Sequence, residues 1–202
     1  MDSQLEKNTL SEVLDQIWQF LRRGSVDQKD FFHTPSVATI VDGWPSVRTV
    51  ILRTADPTRR ELSFFTDTRA EKWRSLQESP RLTWHFWHPR HRMQLRIKAA
   101  VTLHHQDDEA LAAWKAQEDA SRLNYSATPG PGQAVSTLED ALAAHTSFAD
   151  LPNADTESWY SNFGMVVTHA VEIDYLLLSR SGHRRAKFEL QDGSWNGAWL
   201  IP

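Results

Sequence analysis

The chain has 202 residues, no cysteine and a formal net charge of −4 at pH 7 with histidine neutral. This length fits one domain, and the absence of cysteine excludes disulfides, thiolate zinc sites and a cysteine nucleophile. Charges of both signs are interspersed, no apolar run approaches the roughly 20 residues of a membrane span, and residues 1–20 lack a signal-peptide pattern. We therefore expect a cytoplasmic protein that binds neither nucleic acid nor membranes.

The first predicted element is an N-terminal helix. Thr9 and Glu12 have capping-box spacing, and the apolar residues that follow recur with helical periodicity. Gly24 is the expected end of this helix. We interpret residues 1–30 as a helical arm on a single domain that covers residues 1–202.

Strand patterns follow the arm. Residues 37–41 lead into Asp42-Gly43, a strong hairpin signal, and residues 46–54 are predicted to form the return strand. The next strand is expected at residues 61–66.

A short helix is predicted directly after that strand. Thr68 with Glu71 has capping-box spacing, so we expect the helix to begin near Arg69. Pro80 prevents the helix from continuing past Ser79.

Two strands are then predicted at residues 81–87 and 93–103. In the second strand, Gln94, Arg96 and Lys98 share one face, whereas the opposite face is apolar. This pattern indicates either a solvated surface or a lined site.

The second half of the chain contains a helix, a long excursion and further strands. Asp107 is expected to cap a helix that runs to about Ala120, and residues 131–158 are expected to form a loop and helix excursion of the kind found in lids. Residues 163–178 are expected to form one bent strand or two. Asp192-Gly193 is a second hairpin signal, so the whole pattern predicts an antiparallel barrel with helices at its margins.

The strongest functional pattern is a group of cations around two neighbouring segments. Arg48 and Arg53 flank an extended run, and Arg69 and Lys72 follow the aromatic strand at the start of a helix. Cations beside a helix N-terminus can bind a phosphate through charge and backbone N–H groups. The alternative is a buried strand pair with solvated arginines, and the residue types alone favour that alternative.

The histidines and the sequence motifs give no further site. His85, His88 and His91 are spaced by threes, which places the first two on opposite faces of a strand, so no metal site is predicted. The chain also lacks the motifs of zinc proteases, α/β-hydrolases, P-loop NTPases and Rossmann proteins.

Five weak motifs occur in a familiar order. They are the Arg48–Arg53 run, the Phe64–Asp67 strand end, the Arg/Lys helix start, Gln94-Leu95-Arg96, and His183-Arg184-Arg185. Together they resemble the pyridoxamine 5′-phosphate oxidase superfamily of FMN-binding split barrels, in the oxidase-related branch rather than the vitamin B6 oxidase proper. The resemblance covers residues 36–130 and 159–202, and it implies a mainly β (α+β) fold: an antiparallel six-stranded split β-barrel with peripheral helices.

The resemblance also implies FMN as the cofactor. The residues that it assigns to FMN binding are Arg48, Thr49, Val50, Ile51, Leu52, Arg53, Phe65, Thr66, Arg69, Lys72, Gln94, Tyr175 and Arg185.

Within this set, the phosphate end of FMN is assigned to three cations. Arg48 reaches the phosphate from the run that lies along FMN, and Lys72 is the family's phosphate-binding lysine. Arg69 assists, although the family places its arginine directly before that lysine, where this chain has Glu71.

The flavin ring is assigned to the remaining residues. Phe65 and Thr66 present backbone and hydroxyl groups to it, and Gln94 hydrogen-bonds it from the second subunit. Arg185 lies near its pyrimidine end, and Tyr175 stands where the oxidases carry a tryptophan.

The chain also departs from the vitamin B6 oxidases. Arg53 replaces a lysine that holds the substrate phosphate, and Trp114 and Glu118 replace the polar residues of the third helix. Ser181 replaces the first arginine of the late motif, while His183 is kept. The resemblance therefore implies FMN binding but not vitamin B6 oxidation.

We predict a homodimer with FMN at the subunit interface that acts as a flavin-dependent oxidoreductase on a small molecule. One alternative is a non-catalytic flavin-binding or sensing protein. Another is a haem-binding split barrel, with His183 or a histidine of residues 88–91 as axial ligand. No catalytic residue and no metal ligand are assigned.

Overall fold

The computed structural model describes residues 9–147 and 149–202, so the first eight residues of the predicted arm and Phe148 of the predicted excursion lie outside the described residues. The strands are β1 (Ser36–Val41), β2 (Trp44–Thr49), β3 (Thr54–Asp56), β4 (Glu61–Asp67), β5 (Arg81–His88), β6 (Met93–His104), β7 (Phe163–Leu177), β8 (Arg184–Gln191) and β9 (Ser194–Leu200). The helices are α1 (Leu10–Val26), α2 (Glu71–Glu78), α3 (Asp108–Lys115), α4 (Asp119–Arg122) and α5 (Leu138–Ala143).

The strands form one mostly antiparallel sheet in the order β2-β1-β5-β6-β7-β4-β3, and β8 pairs with both β7 and β9. The predicted class, a mainly β split barrel with peripheral helices, is confirmed. The described part of the chain has nine strands in a sheet that is not closed, where six strands were expected.

The N-terminal helix begins as predicted and ends later. Thr9 and Glu12 form a complete capping box at the start of α1. Gly24 does not end the helix, because α1 continues to Val26. Gly24 is needed for close packing instead, since a Cβ atom at this position would lie 2.6 Å from Cβ of Phe32.

Both predicted hairpin turns are confirmed. Asp42 and Gly43 have φ values of 50° and 79°, and Asp192 and Gly193 have φ values of 51° and 80°. Positive φ at both central residues is typical of the turn that matches the twist of antiparallel strands.

The return strand of the first hairpin ends at Thr49, earlier than expected. The chain stays extended beyond it, because the N–H groups of Val50 and Leu52 donate to the carbonyls of Pro35 and His33 over 2.9 Å each. The prediction of one continuous strand was therefore wrong, although the run keeps backbone partners.

The predicted capping box of α2 was also wrong. The helix begins at Glu71 after Ala70, which makes no side-chain cap. The Asp67 carboxylate accepts the N–H of Arg69 over 2.8 Å, and this local turn delays the start of the helix past Thr68.

The second half follows the prediction with one change. Asp107 caps α3, but the helix ends at Lys115 and the chain is helical again only in α4. The short helix expected in the excursion is α5, and β7 is one continuous strand.

The chain divides into two compact units. Unit 1 comprises residues 1–64, 80–101 and 167–202, and unit 2 comprises residues 65–79 and 102–166. In unit 1, Trp84 packs edge-on against Phe64 and donates its indole N–H to Thr168 over 3.0 Å. In unit 2, the core consists of Ala110, Trp114, Tyr125 and Phe163.

Candidate functional site

In unit 2, a threonine and a lysine meet at the point where β4 leads into α2. Thr66 is buried at the end of the strand, and Lys72 lies in the first turn of the helix. The Lys72 Nζ group donates to Thr66 Oγ1 over 2.9 Å. A predicted phosphate-end residue, Lys72, and a predicted flavin-ring residue, Thr66, are thus brought together.

Arg69 lies in the same turn but is held by a carboxylate. Its Nε and Nη2 groups donate to the two oxygens of Asp67 over 2.9 and 2.6 Å, and its Nη1 group donates to the carbonyl of Ala127 over 2.8 Å. The hydrogen bond to Asp67 raises the pKa of Arg69, against the opposing effect of burial. The Asp67–Arg69 pair is therefore formally neutral.

Phe65 has a packing role in this unit. Its ring lies edge-on to Phe163 at a centroid distance of 5.1 Å and packs against the unit 2 core. Its side chain is therefore committed to the core, and its backbone is the part that a cofactor can contact.

A buried arginine in unit 2 was missed by the sequence interpretation. Arg122 is 8% exposed, donates to Glu157 over 2.6 Å and to the carbonyl of Trp114 over 3.2 Å, and lies over the Trp114 ring. Trp114 itself is fully buried. The Trp114 ring and the Arg122 guanidinium are thus both buried in unit 2, and Arg122 reaches the more exposed Glu157 carboxylate.

In unit 1, Arg48 is fixed across the first hairpin. Its Nη1 group donates to Thr39 Oγ1 over 2.7 Å and to the carbonyl of Ser46 over 2.9 Å, and its Nη2 group donates to Ser46 Oγ over 2.7 Å. These bonds hold the guanidinium in one orientation.

The run that follows alternates between buried and accessible side chains. Val50 and Leu52 are buried, and Thr49 and Ile51 are exposed. Arg53 lines a cleft of about 610 Å³; its lining residues are Gln19, Arg22, Arg23, Ser25, Val26, Arg53, Thr54 and Ala55. The two arginines of α1 in this cleft were not singled out from the sequence, because they lie on the polar face of an ordinary amphipathic helix.

Gln94 lies on the polar face of β6 that the sequence predicts. Gln94 is opposite Trp87 in the β5–β6 register. Its side-chain oxygen Oε1 lies 3.3 Å from Nε2 of His85, and it accepts a hydrogen bond when that nitrogen is protonated. Further along this face, Arg96 and Lys98 form ion pairs with Asp174 and Glu172.

These ion pairs belong to a set of charged residues on one face of β6, β7 and β8, which we call the charge ladder. Its members are Arg96, Lys98, Glu172, Asp174, Arg185, Lys187 and Glu189. Asp174 is 7% exposed and accepts from Arg185 and from Arg96. Burial acts to raise the pKa of Asp174, but the hydrogen bonds from these two arginines lower it below its ordinary value.

Tyr175 and Arg185 are not brought together. Arg185 is opposite Leu176 and Tyr175 is opposite Ala186 in the β7–β8 register, so the two side chains lie on different faces of the sheet. Tyr175 is 2% exposed, and burial raises its pKa to about 12.

The histidines are placed as the strand geometry predicts. His85 is exposed and His88 is buried, with its ring against Phe31 and Phe32 and 4.2 Å from the ring of His91. His183 accepts the N–H of Ser179 through Nδ1 over 3.1 Å. Across residues 9–147 and 149–202, no three histidine, aspartate or glutamate side chains cluster as a metal site would require.

Residues 15–105 match the family described as "Pyridoxamine 5′-phosphate oxidase, FMN-binding domain". None of the curated proteins matches the chain.

Two solved structures have a similar fold. One is a pyridoxamine 5′-phosphate oxidase-related, FMN binding protein from Nostoc punctiforme, with a TM-score of 0.73, 23% identity and coverage of 97% of this chain and 100% of that chain. The other is PhzG from Burkholderia lata in complex with tetrahydrophenazine-1-carboxylic acid, with a TM-score of 0.67, 16% identity and coverage of 100% and 97%.

The match over residues 15–105 confirms the predicted resemblance to the pyridoxamine 5′-phosphate oxidase-like FMN-binding family, and the solved structures show the same fold. None of the helices in residues 9–147 and 149–202 has both the length and the apolar character needed to cross a bilayer.

Proposed function

Because residues 15–105 match the FMN-binding domain of the pyridoxamine 5′-phosphate oxidase family, we propose that this protein binds FMN and acts in the cytoplasm as a flavin-dependent oxidoreductase on a small molecule. The observation that carries the proposal is the Lys72–Thr66 pair at the start of α2. We also propose that residues 1–202 act as one domain.

In unit 2, the donor set fits a phosphomonoester. Such a group carries about −1.5 to −2 charges and is anchored by charge-assisted hydrogen bonds. Lys72 donates to Thr66, and Arg69 retains donors beyond those given to Asp67 and Ala127. We assign the phosphate contacts of this unit to Lys72 and Arg69, and contacts with the flavin to the Thr66 hydroxyl group and the Phe65 backbone.

In unit 1, the same proposal assigns a further phosphate contact to Arg48 and the run through Arg53. Arg48 is preorganised by three hydrogen bonds to Thr39 and Ser46, which reduces the entropy lost when it binds an anion. The flavin-ring contacts of this unit are assigned to Gln94, Arg185 and Tyr175. Since Tyr175 is buried on the opposite face from Arg185, it has the weakest geometric support of the three.

The proposal includes a homodimer. Ile40, Val47 and Trp87 are 54%, 64% and 41% exposed, and the strand registers place all three on one face of unit 1, together with Gln94. Large exposed apolar side chains that share one face of a sheet are typical of protein interfaces. A second copy that covers this face would bring Gln94 into the interface, as the family resemblance implies.

When bound, FMN supplies hydride-transfer chemistry. The residues of this chain would then bind the phosphate, orient the ring and set the charge around it. Neutral Gln94 is suited to hydrogen-bond the ring without altering that charge.

The test is the visible absorption spectrum of the purified protein before and after addition of excess FMN, followed by gel filtration. A flavin band that coelutes with the wild-type protein, and that is lost or strongly reduced in Lys72→Met, is the expected result. A Soret band that survives Lys72→Met would support haem instead. If no chromophore is retained, the cofactor proposal is wrong and the similarity is one of fold only.

Turnover separates the oxidoreductase from a flavin-binding or sensing protein. The FMN-loaded protein is mixed anaerobically with reduced nicotinamide or with a panel of amines, and bleaching of the flavin band is followed. Bleaching at a rate above that of free FMN supports catalysis. Equal rates with every compound support a non-catalytic role.

A further inference from the structure

Asp174 has a central position among the residues on the charged face of unit 1. It lies on β7, between β6 and β8, and its carboxylate accepts Arg185 Nε over 3.2 Å, Arg185 Nη2 over 2.8 Å and Arg96 Nη2 over 2.5 Å. The carboxylate is almost fully buried, so these bonds are poorly screened by solvent.

The alternation of β7 explains why Asp174, and not its neighbour, reaches Arg185. Successive side chains on a strand point to opposite faces. Asp174 therefore lies on the face that carries Arg185, whereas Tyr175 points into the core. The sequence resemblance implies a cofactor role for Tyr175, but Asp174 is the residue that binds Arg185.

We propose that Asp174 is a positioning residue for the flavin site, which holds the Arg185 guanidinium in a fixed orientation and limits the positive charge at the pyrimidine end of FMN. This inference rests on the proposed function, since it requires that FMN binds and that Arg185 contacts it.

Orientation is the first part of the role. An arginine has five N–H donors in a rigid fork. Asp174 takes Nε–H and one Nη2–H of Arg185, so the fork is locked at one edge and its Nη1 side is directed away from the carboxylate. A free arginine would sample several rotamers and would lose that freedom on binding.

Charge is the second part of the role. Arg96 and Arg185 share one carboxylate, so the three groups carry one formal positive charge rather than two. Positive charge near the pyrimidine end of a flavin favours its reduced, anionic form, which makes Asp174 a control on the affinity for reduced relative to oxidised FMN.

The chain contains a matched control on the same strand. Glu172 lies two residues before Asp174 and also joins two cations, with Lys98 at 3.0 Å and Lys187 at 3.2 Å. Glu172→Gln removes the same charge from the same face without touching Arg185. Asp174→Asn and Glu172→Gln therefore differ in whether Arg185 loses its partner.

The experiment measures the dissociation constants of oxidised and reduced FMN for the full-length wild type, Asp174→Asn, Asp174→Glu and Glu172→Gln. For Asp174→Asn we expect the affinity for reduced relative to oxidised FMN to rise about tenfold, equivalent to about 30 mV in the potential of a two-electron couple. Glu172→Gln should change this ratio less than twofold. Asp174→Glu keeps the charge but displaces the guanidinium, so both dissociation constants should rise together by about threefold or more.

Each outcome bears on a different claim. If the wild type binds FMN and both Asp174 variants match Glu172→Gln, Asp174 has no positioning role. If Asp174→Asn does not fold, the Asp174→Glu dissociation constants decide the question in the same way. A wild type that fails to bind FMN overturns the proposed function itself, and this inference with it.

Discussion

Each unit contains a buried carboxylate that binds a predicted cofactor arginine, but the ratio of acid to base differs. In unit 2, Asp67 binds Arg69 alone, and in unit 1, Asp174 binds both Arg96 and Arg185. The first arrangement is formally neutral, whereas the second retains one positive charge. The comparison teaches that an arginine in a cofactor motif need not be a free cation, because its contribution depends on the carboxylates around it.

The largest effect on the free energy of unfolding is expected from loss of the Asp67–Arg69 pair. Asp67→Ala removes the acceptor of the Arg69 fork and of the Arg69 backbone N–H, so the free energy of unfolding should fall by about 2–3 kcal/mol, measured by urea denaturation. Asp108→Ala, an exposed residue in the first turn of α3, should cost no more than about 1 kcal/mol. Equal losses in the two variants would mean that the Asp67 pair is no more than a surface contact.

The next effect tests the role of Lys72, which lies in the first turn of the helix that follows the Asp67–Arg69 pair. Lys72→Met should raise the dissociation constant of FMN about 10–100-fold, the equivalent of about 1.4–2.8 kcal/mol for one charge-assisted contact. Fluorescence titration with FMN measures the change, and Lys115→Met, at the exposed end of α3, is the control. Unchanged affinity in Lys72→Met would remove this lysine from the site.

The cluster of Asp174 with Arg96 and Arg185 should make the free energy of unfolding depend on pH. Because its arginine partners lower the pKa of Asp174 in the folded protein, its contribution is fully present above the unfolded value of about 3.9 and is lost as the pH falls through the folded value. Asp174→Asn should therefore be less stable than the wild type by about 1–2 kcal/mol at pH 7, and the difference should vanish at acid pH. Urea denaturation of both proteins from pH 7 to about pH 2 measures it, and a difference independent of pH would contradict the assignment.

The smallest effect is expected at the other carboxylate of the charge ladder. Lys98 is 61% exposed, so Glu172→Gln should lower the free energy of unfolding by about 0.5–1 kcal/mol at low ionic strength, and by less in 1 M salt. Thermal denaturation at two salt concentrations measures this change. A loss as large as that of Asp67→Ala would show that exposed and buried ion pairs contribute alike here.

The elements that could be predicted from the sequence depend on local chemistry. The Thr9–Glu12 capping box and the two Asp-Gly turns involve residues at most three apart, so their geometry is set by neighbours in the chain. The Gly24 and Thr68 predictions failed because other residues decide those positions. Gly24 packs closely against Phe32 inside α1. Asp67 accepts the N–H of Arg69 in a local turn that precedes α2.

The same distinction applies to the candidate site. The polar face of β6 was predicted from alternation, but the partner of Arg96 is 78 residues away, and no local pattern reveals that distance. The partner of Arg122, Glu157, is 35 residues away in the chain. A single arginine in a polar stretch of sequence gives no signal that its side chain is buried. Sequence resemblance supplied Lys72 and Thr66, whereas the carboxylates that control the arginines required the structure.

The charge ladder also bears on how the strands find their alignment during folding. A slip of one residue in β6 would turn Leu95 and Ile97, which are fully buried, towards water, and would direct Arg96 and Lys98 into the core. A slip of two residues would restore the apolar face but would offer Lys98 to Asp174 and leave Glu172 without its β6 partner. Apolar alternation therefore disfavours a shift of one residue, and the order of the charges disfavours a shift of two residues. The charge ladder therefore favours the native alignment of β6 with β7, whether or not a cofactor is present.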